Sequence, residues 1–186
     1  EGRAPNRRCR KSASQLGDAR ARGAEPLAVV AGYGTSTDAH HLTAGHPEGR
    51  YAAAAMRSAL AMAKLDAAEI DYINAHSTST PVGDAAEIAA IGSVFPERGK
   101  DLAVTSTKSA TGHLLGAAGA IEAVFSVMAL RDGIIPPGLN IHDPEAAADR
   151  YDLAPLSAKE KPIRHVLSNG FGFGGVNAAL VFSKSP

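Results

Sequence analysis

Tryptophan is absent from the 186 residues, cysteine occurs once, and neither charge sign is in excess, with 19 Lys and Arg against 19 Asp and Glu. The single cysteine, Cys9, excludes an intrachain disulfide framework and a cysteine-rich zinc site. A net charge of zero gives no electrostatic pull toward nucleic acid or an anionic membrane surface, and neither is an expected partner. No uninterrupted apolar run approaches the ~20 residues that cross a bilayer. No signal-type apolar stretch stands near the start.

What is present reads as one globular domain: 45% of residues are apolar and 20% charged, far from the composition of a disordered chain. The first 14 residues differ. They hold Arg3, Arg7, Arg8, Arg10 and Lys11 and no Leu, Ile, Val or aromatic residue. That segment reads as a basic disordered end or the remnant of an Arg-rich transit segment. Residues 1–18 are therefore set apart from a domain over 19–186.

Along the domain, residues 26–33 and 70–75 are short β-branched runs and read as strands. Residues 35–49 read as a polar loop. Ala, Met and Leu fill residues 50–64, which reads as a helix. A second helix is expected over 85–95, with Asp84 as N-cap and Glu87 three residues on, the spacing of a capping box. Residues 102–107 read as a third strand, and 113–131 as a long helix opened by His113. Two last strands, 163–167 and 178–182, flank a glycine-rich stretch over 169–177. This order predicts an α/β fold, a five-stranded mixed sheet with helices on both faces, mainly parallel with one antiparallel hairpin.

Three segments follow strands, where open α/β sheets place ligand sites. In the first, His76 leaves a strand and Ser77, Thr78, Ser79 and Thr80 follow, giving one imidazole among hydroxyl donors. The second runs from Thr105 to His113 and carries Lys108. At a helix start the dipole would hold His113 neutral, able to donate to a carbonyl oxygen or an enolate. The helix beyond is nearly all apolar or small, so it is expected to be buried on all sides. Glu122 inside it then needs a partner. Lys108 is the candidate, although spacing alone does not prove the pairing. The third segment, 169–177, interleaves four glycines with Phe171 and Phe173, suiting a gate or an apolar pocket wall as well as a plain hairpin. His40, His41 and His46 lack metal-ligand spacing, and no metal is expected.

Taken together, His-x-Thr-x-Thr-Pro-x-Gly-Asp-x-x-Glu (from His76 to Glu87), Ser-Thr-Lys-Ser-x-Thr-Gly-His-Leu-Leu-Gly-Ala-Ala-Gly-Ala-x-Glu (from Ser106 to Glu122) and Gly-Phe-Gly-Gly-x-Asn (from Gly172 to Asn177) resemble the β-ketoacyl-[acyl-carrier-protein] synthases. The nearest likeness is to the C-terminal half of the elongating type of dissociated fatty acid synthesis. The resemblance implies a thiolase-like fold and an acyltransferase that condenses an acyl thioester with malonyl carrier protein, losing carbon dioxide. His76 and His113 resemble the two catalytic imidazoles, and Lys108 and Glu122 the charged pair supporting them. Thr78 and Thr80 resemble the threonines that hold the phosphopantetheine arm, with Phe171 and Phe173 beside the substrate. Phe173, Gly172 and Gly174 resemble one gating loop, and the stretch from Asp38 to Thr43 a second. Asp84 and Glu87 match motif positions read as structural.

No cofactor of the chain's own is implied, the 4′-phosphopantetheine being carried by the acyl carrier protein. Implied partners are that carrier protein and an N-terminal synthase half or full synthase chain, the intact family forming homodimers. The implied location is a bacterial-type cytoplasm or an organelle. The family's nucleophilic cysteine belongs to the N-terminal half. Cys9, flanked by Arg8 and Arg10, has no such context and receives no catalytic role. The chain is thus expected to be inactive alone. The alternatives are a non-catalytic subunit pairing with another synthase chain, or a ketosynthase of polyketide or nodulation type. Ser77, Gly138, Gly170 and Val176 depart mildly from the family pattern.

Overall fold

A computed structural model describes residues 16–185 of the chain. Cys9 and nearly all of the basic N-terminal segment lie outside them. Helix α1 (Leu16–Ala21) runs across the boundary expected between residues 18 and 19. There follow β1 (Ala28–Thr37), α2 (Arg50–Ala63), β2 (Tyr72–Asn74), α3 (Pro81–Val94), β3 (Ala103–Thr105), the single turn α4 (Lys108–Thr111) and α5 (Ala118–Asp132). The chain ends with β4 (Ile134–Ile135), β5 (Lys159–Glu160), β6 (His165–Gly172) and β7 (Val176–Lys184).

Five strands form one mixed sheet in the order β1-β7-β6-β2-β3, and β4 pairs with β5 apart from it. Alternate residues of each strand serve opposite faces. Ile73, Leu167 and Val181 meet Met56 and Ala59 of α2 and Ile91 of α3. Their chain neighbours Tyr72, Val166 and Phe182 meet Ala129 and Leu130 of α5 on the other side. Each fully buried Leu, Ile or Phe contributes about 1.5–3 kcal/mol, so the two clusters hold the layers together. The α2 helix lies directly on bare backbone of β1. A Cβ on Gly34 would stand 2.0 Å from the Ala55 carbonyl oxygen, so only glycine fits there.

The expected α/β sheet with helices on both faces is present, but it differs from the sequence reading in several ways. Two of its four strand pairings are antiparallel, not one, because β1 takes the free edge of β7. β2 is parallel to both β3 and β6. β1 extends to Thr37, shortening the expected loop. The α3 helix starts at Pro81 with Thr80 as its cap residue, since proline costs nothing at a first helical position. Asp84 is therefore inside the helix and is no N-cap. Its carboxylate accepts the Thr78 N–H at 3.1 Å. Asp84 and Glu87 form no capping box.

The long helix begins at Ala118, not at His113. Gly112, at φ 72° and ψ 178°, stops the α4 turn, and His113 lies on the connection. The helix-terminal argument for its neutral form does not apply. The α5 helix is buried on one side only, through Glu122, Ser126, Ala129 and Leu130, while Val124 and Met128 are exposed. Most of the glycine-rich stretch is strand, since Gly170 and Gly172 pair with Ala178 and Val176. The turn is confined to residues 173–175.

Candidate active site

Because β2, β3 and β6 are parallel, their carboxyl ends lie at one end of the sheet, and the three segments named above leave from there. β2 delivers His76. β3 delivers Thr107 and Lys108. β6 carries Asn169 and Phe171. The imidazoles of His76 and His113 meet edge to face, with centroids 5.5 Å apart and planes at 87°. Phe171 also packs against His76, its ring centroid 5.7 Å away.

Beneath them Lys108 and Glu122 form an ion pair, their side chains 5% and 2% exposed. The Asn74 carboxamide connects this pair to the sheet. Its Nδ2 donates to the Glu122 main-chain oxygen and to Thr107 Oγ1, both at 3.3 Å, and its Oδ1 accepts the Thr107 N–H at 3.4 Å. A second buried carboxylate, Glu87, accepts from the main-chain N–H of His76 at 2.9 Å and of Ser77 at 2.7 Å, and from Asn169 Nδ2 at 2.9 Å. Burial pushes the Glu87 carboxyl upward, opposed by those donors.

Burial, and then the positive field of Lys108 and the neighbouring His113, push His76 down to about 3. That imidazole is neutral near pH 7. His76 Nδ1 is buried without a partner, which leaves Nε2 as the nitrogen able to meet a ligand. His113 Nδ1 accepts the Leu115 N–H at 3.1 Å, so in its neutral form the His113 proton sits on Nε2. With the proton on Nε2 of each, the two imidazoles can donate to one oxygen on which negative charge develops.

A cavity of about 840 Å³ gathers His76, His113, Glu122, Phe171, Phe173, Thr78, Thr80, Asp38, Thr43 and Gly172 along its wall. A second cavity of about 620 Å³ shares Thr78, Thr80, Glu87 and His113 with it and adds Lys108 and Asp84. The Thr78 and Thr80 hydroxyls are 3.1 Å apart at this junction. Phe173 stands at the rim, 80% exposed. Gly174 is outside the cavity wall. Its N–H donates to the Leu42 oxygen at 2.7 Å, and Asp38 accepts from Asn177 Nδ2 at 2.6 Å and donates its N–H to the Gly175 oxygen at 2.8 Å. These bonds tie the loop after β1 to the β6–β7 turn. Among the described residues no group of three or more His, Cys, Asp or Glu side chains could hold a metal ion.

Sequence reasoning assigned no role to Asn74, Asn169 or Asn177, all buried. An Asn at the end of an apolar strand run was the available signal.

The family model described as the β-ketoacyl synthase C-terminal domain matches residues 27–142. The mitochondrial 3-oxoacyl-[acyl-carrier-protein] synthase of Arabidopsis thaliana is 48% identical over 168 residues, 89% of this chain and 36% of that protein. 3-Oxoacyl-[acyl-carrier-protein] synthase 2 of Staphylococcus aureus (strain COL) is 47% identical over 169 residues, 91% of this chain and 41% of that one. Among solved structures, a chain of a type II polyketide synthase acyl-carrier protein in complex with its hexaketide-bound ketosynthase superposes with a TM-score of 0.88 at 31% identity. It covers 92% of this chain and 42% of that one. The chain thus spans about two fifths of the length of the proteins it matches.

Proposed function

The chain belongs to the β-ketoacyl synthase family, whose C-terminal domain it carries in a thiolase-like fold, and we propose that it supplies the decarboxylating half of a 3-oxoacyl-[acyl-carrier-protein] synthase site. One observation carries this reading: His76 and His113 converge at 5.5 Å on one cavity above the buried Lys108–Glu122 pair.

In the proposed reaction the malonyl thioester oxygen lies against His113 Nε2–H and His76. The bond between the malonyl α-carbon and its carboxylate breaks and carbon dioxide leaves. The electron pair becomes an enolate whose oxygen the two imidazoles stabilise. The enolate carbon then attacks the carbonyl of an acyl group held as a thioester on a cysteine, and the thiolate departs. That cysteine is assigned to an N-terminal half, and the chain is proposed to be inactive without it. Lys108 and Glu122 hold the charge balance beneath the site.

Thr78 and Thr80, at the junction of the two cavities, are assigned to the phosphopantetheine arm of the acyl carrier protein. Phe171 lines the substrate path. Phe173, Gly172 and Gly174 on one side, and Asp38 and Thr43 on the other, are assigned to a gate, which the hydrogen bonds between their loops support. Identity of 47–48% to named 3-oxoacyl synthases, against 31% to the polyketide complex, favours fatty acid synthesis over a polyketide role. The proposed location is a bacterial cytoplasm or an organelle. No helix of the described residues is long and apolar enough to cross a membrane.

The test is to mix the purified chain with malonyl- and acyl-carrier protein, alone and with a separately expressed N-terminal half of a relative. The expected result is 3-oxoacyl product only in the complemented mixture. Product from the chain alone refutes the two-part reading, and no carbon dioxide release in either mixture refutes the function.

A further inference from the structure

We propose that Glu87 is the positioning residue of His76, fixing through main-chain hydrogen bonds the direction in which β2 delivers the imidazole. Glu87 lies on the seventh residue of α3, 2% exposed. Both of its oxygens are occupied. Oε1 accepts from the His76 N–H and from Asn169 Nδ2, each at 2.9 Å, and Oε2 accepts from the Ser77 N–H at 2.7 Å and from Ser77 Oγ at 3.2 Å. One side chain therefore joins α3, the exit of β2 and the body of β6.

Those bonds act on His76 because its ring has no hydrogen bond of its own to orient it. Nδ1 is buried and partnerless, and the nearest rings, His113 and Phe171, give contact without directional bonding. The angle of the ring is then set by the main chain, and the main chain is held by Glu87. A burial this deep is sustained by four donors, two of them peptide N–H groups that would be orphaned without it.

The nature of the acceptor matters. A carboxylate accepts at both oxygens, whereas an amide accepts at one only. The buried Asn169 Oδ1 has no partner. In Glu87→Gln the new Nε2 donates to that oxygen once the Asn169 amide turns over. The remaining Gln oxygen serves Ser77, and the His76 N–H loses its acceptor. The substitution is nearly isosteric yet releases one specific peptide group.

The inference rests on the proposed function only in giving His76 a task, and its test needs no turnover. The charged and titratable groups around that imidazole are Lys108 and His113, with Glu87, Glu122, Asp38 and His46 on the same cavity wall. Isotope-labelled full chain is titrated by NMR, following the ring and amide signals of His76. In the wild type the ring is expected to stay neutral from pH 8 to pH 5, because burial and the Lys108 charge hold its value low. In Glu87→Gln the His76 amide is expected to exchange at least about tenfold faster and the His76 ring signals to shift, while burial and the Lys108 charge still keep the ring neutral. A folded Glu87→Gln chain whose His76 ring signals and amide exchange are unchanged overturns the proposal. Should that variant not fold, Asn169→Ala, which removes one of the four donors, is read the same way. It must speed exchange of the His76 amide and shift the His76 ring signals, or the proposal fails.

Discussion

Lys108 and Glu122, 14 residues apart in the chain, form an ion pair almost sealed from water, and the peptide that links them carries His113. Pairing closes this stretch into a loop under the cavity, so the charge partners and the imidazole are fixed together. Removing one partner leaves an uncompensated buried charge. Lys108→Ala or Glu122→Ala should each destabilise the chain by about 3–5 kcal/mol in chemical denaturation. The double variant Lys108→Met, Glu122→Leu should lose less than either single change. A single variant within 1 kcal/mol of wild type contradicts the pair's structural weight.

The neutral state of His76 makes stability depend on pH. Its folded value, about 3, lies below the ordinary 6.5, so between these values the unfolded chain binds the proton more readily than the folded one. Stability therefore falls as pH drops from about 6.5 toward about 3, and the His76 share is fully present above that window. The slope from this one group approaches at most ~1.4 kcal/mol per pH unit. Glu87, pushed upward by burial, works in the opposite sense, so the measurement is the difference between wild type and His76→Gln. Parallel stability curves for the two proteins across that window would refute the shift.

His113→Ala should reduce carbon dioxide release from malonyl-carrier protein by at least ~10²-fold in the complemented enzyme, because it removes the Nε2 donor whose proton the Leu115 N–H fixes. The fold should be intact by circular dichroism, since His113 is exposed on a connection and packs in neither core cluster. Release at the wild-type rate would remove His113 from the mechanism.

The contact between the β6–β7 turn and the loop after β1 depends on Gly175. It sits at φ 78°, and an added Cβ would stand 2.9 Å from Asp38 Cβ. Gly175→Ala should cost about 1–3 kcal/mol and raise hydrogen exchange at Asp38 and Gly174, whose N–H groups bridge the two loops. Unchanged exchange at both amides counts against a coupled gate.

Much of this molecule was legible before any coordinates. Ala-rich residues 50–64 could hardly form anything but a helix, and the β-branched runs ended in the polar residues that a strand-end site needs. The misplacements share one cause. Asp84 fits a capping box and His113 a helix start, yet each lost its place to a stronger local fact: Pro81 takes the first helical position, and Gly112 adopts a positive φ that ends a turn. Residues 169–177 look like a loop by their glycines but are held as strand by the pairing of their neighbours.

The chain's own composition and motifs determined the residue types at the site and the family they resemble, since those depend on local order and spacing. Only the tertiary structure decided that Glu122 reaches Lys108, that Glu87 turns toward the main chain of His76, that Asn74 holds the Glu122 main-chain oxygen, and that Asn169 holds the Glu87 carboxylate. Such contacts join residues up to 82 positions apart. Parallel strand pairing, which brings the three segments to one end, is a long-range choice that no local pattern encodes.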